Sequence, residues 1–410
     1  MTGTNSAANK QDVRKRRVFY ISGYDPMLPR RYRELYRSEG AAQAEISNYS
    51  IELKGKSGGE TYAWSVSSLI DEAKTEATVE FLLWSDIVRR SMTRSIPGTF
   101  VLLAQVVWIY VSTGALFRLM RLRKGPIIAA LYPVFMLCLQ LVIAVALGAL
   151  VWFGFSQIIP SAAAVIIAVA VFVWLLLWFR RIDNRLFVYY LLHDYAFSTR
   201  FRGRTPPELD QRMAEFGARI SDALDSDVDE VLVVGHSSGA HLAVGILADL
   251  LRRQKPSTTG PKLAFLSLGQ VVPMVSFLPE ANDLRRDLNY LSTQQCLTWV
   301  DVTAPGDGCS FALCDPVGVS GAAPDEGQIW PLVISAAFSL SLSPERFKAL
   351  KRRYFRLHFQ YLCAFDRPLE YDYFQITAGP LSLARRYKDQ APSPSRISRP
   401  LSGFRYKDTL

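Results

Sequence analysis

The chain has 410 residues, half of them hydrophobic, and its 47 Lys and Arg outnumber its 37 Asp and Glu. The apolar excess is confined to residues 101–180, where 61 of 80 positions are apolar, whereas the remainder has a composition ordinary for soluble proteins. This distribution excludes a uniformly soluble protein, a mostly disordered chain and a polytopic transporter. At roughly 150 residues per domain, the length predicts two to three domains.

Charge and cysteine content indicate the setting. No Asp or Glu occurs between Asp86 and Asp183, and the sequence has no RNA- or DNA-binding motif. We therefore expect membrane lipids, and no nucleic acid, as the anionic partner of the basic surplus. The five cysteines are odd in number, scattered and without CxxC spacing. They indicate neither a disulfide framework nor a zinc site, and they fit a reducing cytoplasm.

The N-terminal part predicts a disordered basic segment, residues 1–17, followed by the first part of an α/β domain, residues 18–95. Its predicted elements are a strand, a helix and a second strand at residues 18–22, 31–46 and 79–84. Between the helix and the second strand, Gly58-Gly59 predicts the turn of a hairpin. Strand and helix in alternation indicate an α/β sheet.

Residues 96–181 are the predicted membrane insertion. The 55 residues of the segment 125–179 carry no charge, which is enough for two transmembrane helices of about 20 residues each. We place these spans at about residues 127–155 and 161–179. The positive-inside rule puts the flanking arginines in the cytoplasm and the turn between the spans on the far side.

A further apolar stretch, residues 98–117, is also long enough to span. If the segments before and after the insertion share one sheet, both lie on one side of the membrane, so the number of spans is even. We therefore expect residues 98–117 to lie in the interface or to form a re-entrant element. The alternatives are three spans, or a further crossing within residues 182–195.

A strand, a sharp turn and a helix are predicted at residues 231–253. The motif GHSSG at residues 235–239 matches G-x-S-x-G and stands between a β-branched run and a stretch with helical apolar spacing, as a nucleophile elbow requires. Only Ser237 has glycine two positions before and after it, so Ser237, and not Ser238, is the predicted nucleophile. The elbow positions around it are Gly235, His236 and Gly239. An ordinary glycine-rich turn is the alternative.

On this motif and its flanking strand and helix, the chain resembles the α/β-hydrolase superfamily. The resemblance covers roughly residues 18–90 and 186–370, with the membrane block inserted before the nucleophile strand. It implies an α/β-hydrolase fold, a mostly parallel sheet flanked by helices, whose second part we assign to residues 182–388. It also implies that the catalytic residues follow one another in the order Ser, acid, His.

The resemblance therefore implies an acid and a histidine after Ser237. Of the four histidines, His358 alone lies beyond the elbow helix and is the predicted base, with a buried structural histidine as the alternative. Asp307 lies in the loop after a predicted strand at residues 296–303, and it is the predicted acid that orients His358. Asp315, in the continuing loop, is the alternative acid.

The resemblance also implies an oxyanion hole made by the backbone N–H of Ser238 and one from the loop after the first strand. In that loop Gly23 lets the backbone approach the substrate, and the N–H of Tyr24 is the predicted donor. The loop departs from the His-Gly pair that many members of the family carry. A simple turn is the alternative interpretation.

Together these features predict a membrane-anchored serine hydrolase that cleaves an ester or thioester of a lipid or acyl substrate through an acyl-enzyme. No metal or organic cofactor is implied. We expect it in the bacterial inner membrane or its equivalent, with the catalytic domain in the cytoplasm. The alternatives are an acyltransferase with the same triad and a catalytically inactive hydrolase-fold scaffold. Residues 389–410 predict a disordered basic tail.

Overall fold

The computed structural model of the chain describes residues 11–55, 62–254, 256–257 and 259–406. One sheet of eight strands organises it. The strands are β1 (Lys15–Ile21), β2 (Ser50–Gly55), β3 (Tyr62–Ile70), β4 (Ala73–Phe81), β5 (Glu230–His236), β6 (Lys262–Leu268), β7 (Leu297–Thr303) and β8 (Leu332–Ser335). Their order across the sheet is β2-β3-β4-β1-β5-β6-β7-β8.

The sheet is mostly parallel and joins the two ends of the chain. β4, β1, β5, β6, β7 and β8 run parallel to one another, whereas β2 and β3 form antiparallel pairs at one edge. β1 pairs with β5 from Arg16↔Glu230 to Ile21↔Gly235. The segments before and after the apolar insertion therefore belong to one sheet.

Helices connect the strands and cover both faces of the sheet. They are α1 (Pro29–Ser47), α2 (Ser85–Ser91), α3 (Ile96–Ser112), α4 (Ala115–Leu119), α5 (Lys124–Phe155), α6 (Ser161–Arg181), α7 (Asp183–Leu186), α8 (Val188–Thr199), α9 (Pro207–Leu224), α10 (Gly239–Arg253), α11 (Val272–Ser276), α12 (Asn282–Leu291), α13 (Pro316–Val319), α14 (Phe338–Ser341), α15 (Pro344–Leu350), α16 (Tyr354–His358), α17 (Tyr373–Ala378) and α18 (Leu383–Arg386). A 3-10 turn, Phe359–Leu362, follows α16.

The alternation of strand side chains divides the core into two layers. Phe19 and Val233 pack with α9, α10 and α12 on one face, while Val18 and Val234 pack with α1 and α17 on the other. Because successive side chains of a strand point to opposite faces, a strand buried on both sides carries an uninterrupted apolar run, as β5 does over residues 231–234. The mixed α/β fold expected from the sequence is confirmed.

Most of the local elements predicted from the sequence lie where they were expected. The strand predicted at residues 18–22 is β1, which begins earlier, at Lys15, and the helix predicted at residues 31–46 is α1. β2 and β3 are the arms of the predicted hairpin. Its predicted turn at Gly58-Gly59 lies outside the described residues.

A buried ion pair links β1 to β5 and to the C-terminal part. Arg16 Nε lies 2.6 Å from Glu230 Oε2, and both side chains are almost completely buried. The guanidinium also donates to the carbonyl oxygens of Gly379 and Leu381, and Glu230 Oε1 accepts the N–H of Leu383. Buried charges are tolerated when they are paired and their remaining hydrogen bonds are made, as they are here.

Two helices are long and apolar enough to cross a membrane, α5 and α6. At 1.5 Å per residue they measure about 48 Å and about 32 Å, against a hydrocarbon core of about 30 Å. Small residues let the two helices approach closely, because a Cβ on Gly148 would lie 3.4 Å from the carbonyl oxygen of Ala168. α5 also reaches the soluble domain, where Ile127 and Leu137 pack with Val188 of α8.

The third apolar stretch, predicted as an interfacial or re-entrant element at residues 98–117, contains α3. One face of α3 packs on the soluble domain, since Leu102, Val106 and Tyr110 belong to the same buried cluster as Leu192 of α8. Its other face is apolar and exposed, with Trp108 70% accessible. α2 and α3 meet at 103°, and the number of apolar spans rises from two to three only if this bent pair is taken as one span.

Both predicted disordered ends need correction. Within the segment 1–17, the described residues from 11 onward are ordered, because Val13 is buried and β1 begins at Lys15. Within the segment 389–410, residues 391–406 run along the domain, where Ile397 pairs with Cys314 and the N–H of Leu401 donates to Val319. These segments lack apolar periodicity, and their order comes from backbone hydrogen bonds to the domain.

The shared sheet and the two apolar helices make a testable prediction about topology. In a variant without the native cysteines, Gln157→Cys, between α5 and α6, is expected to react with an impermeant maleimide from outside intact cells. Asp210→Cys and the control Lys388→Cys, both on the soluble domain, should react only after permeabilisation, because two crossings return the chain to its starting side. Labelling of Gln157→Cys and Asp210→Cys from the same side would contradict this topology.

Candidate active site

The turn between β5 and α10 holds Ser237 in a backbone conformation that few side chains adopt. Its φ is +57°, in the left-handed region, and its N–H donates to the carbonyl oxygen of Leu268 at 2.9 Å. Such conformations are costly for non-glycine residues and persist where the surroundings enforce them. Ser237 is partly exposed between two buried elements, so its hydroxyl is presented at the end of the sheet.

Close packing explains the two glycines that flank Ser237. A Cβ on Gly239 would overlap the carbonyl oxygens of Ile21 and Ser22, at the end of the neighbouring strand β1. A Cβ on Gly235 would lie 2.8 Å from the Cα of Ala240. Both distances are shorter than a carbon side chain permits, so the sharp strand-to-helix turn at Ser237 requires glycine at both positions.

The structure brings His358 and Asp307 together. His358 ends α16, and Asp307 lies in the loop after β7; His358 Nδ1 is 2.7 Å from Asp307 Oδ2. Two further donors hold the carboxylate, the hydroxyl of Tyr361 at 3.1 Å and the N–H of Cys309 at 2.9 Å. With both of its oxygens occupied, Asp307 fixes the orientation of the imidazole ring.

The electrostatic surroundings keep Asp307 ionised. Burial alone would raise the pKa of this carboxyl, but His358, through its charge and its hydrogen bond, and the N–H of Cys309 outweigh burial and hold the pKa below its ordinary value. A second imidazole, that of His236, stacks against His358 with ring centroids 4.8 Å apart and donates from Nε2 to the His358 carbonyl. Burial, assisted by His358, lowers the pKa of His236 to about 3, so His236 is neutral.

His358 and Ser237 line the same cavity. His358 Nε2 is buried and has no hydrogen-bond partner among the described residues. An imidazole held at Nδ1 by a carboxylate and free at Nε2 can take a proton from a hydroxyl group in the same cavity and return it later.

The predicted oxyanion donors lie beside Ser237, and one of them is already engaged. The N–H of Tyr24 donates to Ser238 Oγ at 2.9 Å. Gly23 approaches the elbow so closely that a Cβ there would lie 2.9 Å from the Cβ of Ser237. The N–H of Tyr24 can therefore bind an oxyanion directly only if the Ser238 hydroxyl turns away. If the hydroxyl stays in place, it is polarised by the Tyr24 N–H and is itself the group that faces the oxyanion.

The alternative acid Asp315 and the neighbouring Asp301 are not at His358. Asp315 caps α13, where it accepts the N–H groups of Val317 and Gly318, and it also accepts from Gln328. Asp301 lies inside β7, buried, and accepts from Ser267 Oγ at 2.5 Å. Asp307 is the carboxylate that the structure brings to His358.

Among the residues that the structure describes, one set of side chains could hold a metal ion. Ligand atoms of Asp307, Cys309 and His358 lie within 4.8 Å of one another. However, the Asp307 and His358 atoms of that set already share a hydrogen bond, and burial raises the pKa of the Cys309 thiol well above its ordinary value, although a zinc ligand must be a thiolate. The donor set therefore fits a hydrogen-bonded pair better than a metal centre.

Sequence reasoning missed Asp194 and gave little weight to His241. Both line the cavity with Ser237. Burial lowers the pKa of His241 to about 4, so it is neutral. A signal for Asp194 was present, because it is the one acidic residue in α8, a helix made mostly of apolar and aromatic residues. Tyr361, which donates to Asp307, was also missed; it lies three residues after His358.

Comparisons with protein-family models, with curated proteins and with solved structures each found no match to this chain. The geometry of the residues around Ser237 is therefore the basis for assigning a function.

Burial raises the pKa of Asp301 to about 8, despite the hydrogen bond from Ser267. Its neutral form stabilises the fold fully below about pH 4, the ordinary carboxyl range, and that contribution is lost as the pH rises through 8. Asp301→Asn does not titrate. We expect the melting temperature of Asp301→Asn minus that of wild type, both measured in detergent, to rise by several degrees between pH 5 and pH 9. The exposed control Asp225→Asn should show no such trend, and the same absence of trend in Asp301→Asn would contradict the prediction.

Proposed function

We propose that the protein is a serine hydrolase that cleaves an ester or thioester bond. The observation that carries the proposal is the 2.7 Å contact between Asp307 and His358, because His358 lines a cavity that also contains Ser237, held at a strained strand-to-helix turn. The catalytically inactive scaffold, which the sequence left open, would not need this arrangement. An orienting carboxylate, a histidine with one free nitrogen and an exposed serine are the components of nucleophilic acyl transfer.

In this mechanism Ser237 Oγ attacks the carbonyl carbon while His358 Nε2 accepts its proton. Asp307 stabilises the resulting imidazolium through Nδ1, and the ionised state of Asp307 supports that role. The tetrahedral oxyanion is held by the N–H of Ser238 and by Tyr24, directly or through the Ser238 hydroxyl. His358 then protonates the leaving alcohol or thiol, and water, activated by the same histidine, releases the acid.

The arrangement of the sheet supports the finer proposal of an α/β-hydrolase fold. The strand that precedes Ser237, β5, lies between β1 and β6, and the loop after β1 carries Gly23 and Tyr24. The acid and the histidine follow Ser237 in the chain, as that fold requires.

We further propose a lipid or acyl ester as the substrate. Tyr110 of α3 and Pro126 of α5 line the cavity with Ser237, so the apolar insertion forms part of its wall. An acyl chain can then pass from the bilayer to Ser237 along apolar surface. The basic residues at the ends of α5 and α6 support a cytoplasmic location for the catalytic domain, on an inner membrane.

The first test is covalent labelling of membranes by a fluorophosphonate probe, which reacts with activated serines. We expect wild type to be labelled and Ser237→Ala to be unlabelled. Ser226→Ala is the matched control, because Ser226 is exposed and does not line the cavity, so this variant should still be labelled. Unlabelled wild type, or equal labelling of Ser237→Ala, would contradict the proposal.

The second test separates the two candidate acids. With an acyl ester that wild type hydrolyses, Asp307→Asn should lower kcat by about 10⁴-fold, because an amide donates to Nδ1 and holds the wrong tautomer of His358. Asp315→Asn keeps the oxygen that caps α13 and should change kcat by less than about threefold. Similar losses in both variants would refute the assignment of Asp307. Product analysis after reaction with and without an added alcohol acceptor distinguishes hydrolysis from acyl transfer.

A further inference from the structure

The electrostatic character of the cavity differs from that of the whole chain. The sequence has 47 Lys and Arg against 37 Asp and Glu, yet among the described residues no Lys or Arg lines the cavity of Ser237. Two carboxyl groups do, those of Asp25 and Asp194. An anionic group on a substrate would meet these carboxyls with no cation to compensate.

The two carboxyls differ in their hydrogen bonds. Asp25 is satisfied, because it accepts from the Tyr32 hydroxyl at 2.6 Å and from the N–H of Met27 at 2.8 Å. Asp194, on α8, has no hydrogen-bond donor among the described residues. The part of its side chain that is accessible faces the cavity, and its enclosure raises its pKa to about 7, an effect that His358 moderates.

Three tyrosine hydroxyls of the cavity wall are directed away from Asp194. Tyr110 donates to the carbonyl oxygen of Met274, and Tyr190 donates to that of Tyr24. The Tyr24 hydroxyl is hydrogen-bonded to Ser91. These tyrosines therefore supply aromatic surface but no donor to Asp194, and a half-buried carboxyl without a donor is unfavourable.

The chemistry of the proposed substrate indicates which of its parts would supply that donor. Asp194 lines the same cavity as Ser237 and His358. In the proposed reaction His358 protonates the leaving oxygen, so the alcohol part of the ester lies in this cavity. The proposed acyl part is apolar, so a hydrogen-bond donor for Asp194 comes from that alcohol.

We propose that Asp194 is a specificity-determining residue that accepts a hydrogen bond from a hydroxyl or ammonium group on the alcohol part of the ester. The inference rests on the proposed hydrolase function and narrows its substrate class to esters of polyols or amino alcohols, with anionic alcohols disfavoured. A site built around an enclosed acceptor rejects analogues that lack the donor, because the acceptor is then left unpaired.

The experiment compares kcat/KM for three octanoyl esters in detergent: the propyl ester as the reference, the glyceryl ester, which adds hydroxyl groups, and the 2-aminoethyl ester, which carries an ammonium group. An octanoyl ester of glycerol phosphate is the anionic arm. We expect wild type to prefer one donor-bearing ester over the propyl ester by at least about 100-fold. The preferred ester shows whether the donor is a hydroxyl or an ammonium group. The anionic ester should be the poorest substrate.

The variants test the role of Asp194 itself. Asp194→Leu should bring the preference to within about threefold of unity, whereas Asp25→Asn, which alters the satisfied carboxyl, should keep the wild-type preference. Asp194→Asn retains an acceptor without charge, so it should keep a preference for hydroxyl and lose one for ammonium. Equal rates on all esters in wild type, or an unchanged preference in Asp194→Leu, would overturn the inference.

Failure of this inference can be told apart from failure of the hydrolase proposal. Fluorophosphonate labelling of Ser237 reports the triad without an alcohol part, so a labelled wild type with no preference overturns only the role of Asp194. An unlabelled wild type overturns the hydrolase itself. If Asp194→Leu does not fold, it will not be labelled. In that case the rates of Asp194→Asn and Asp25→Asn on the ammonium ester are compared, and loss of the preference in Asp194→Asn alone supports the role of Asp194.

Discussion

β1 and β5 lie side by side although 214 positions separate Arg16 from Glu230, the first residues of their register. Their pairing closes a loop in the chain that contains the whole apolar insertion. Whatever path the insertion takes, it starts and ends at neighbouring points of the same sheet. This constraint favours an even number of crossings, and it keeps the mouth of the cavity next to α3 and α5. The buried Arg16–Glu230 pair fixes the register at the far end of the two strands.

The same pairing assembles the site. The ends of β1 and β5 meet where Gly239 packs against the carbonyls of Ile21 and Ser22, so the loop that follows β1 is pressed against Ser237. The acid and histidine arrive from the other half of the sheet, through the loop after β7 and the end of α16. Local strain at Ser237 is maintained by close packing on both sides. The geometry is therefore a property of the sheet rather than of any single loop.

The sequence predicted those features that are encoded locally. Glycine spacing around Ser237, apolar periodicity in the strands and the uncharged run of the insertion each depend on neighbours in the chain, and the corresponding elements are present. The features that were missed depend on distant contacts. Three such features are the hydrogen bond between Tyr24 and Ser238, the presence of Asp194 in the cavity of Ser237 and the docking of residues 391–406. They arise only when the chain is folded, and neither periodicity nor composition records them. The order of a polar tail is the clearest instance, because its stability comes from backbone hydrogen bonds.

That docked tail has a consequence for the chemistry. Ile397 exchanges backbone hydrogen bonds with Leu313 and Asp315, and Ser398 packs against Gly318, so the tail runs along the segment that continues from the Asp307 loop. The segment that follows the Asp307 loop is thus held by residues of the C-terminal part of the chain. A truncation or a bulky fusion at that end would loosen the support of the carboxylate while leaving every residue of the cavity unchanged. Tags for purification or imaging therefore belong at the opposite terminus.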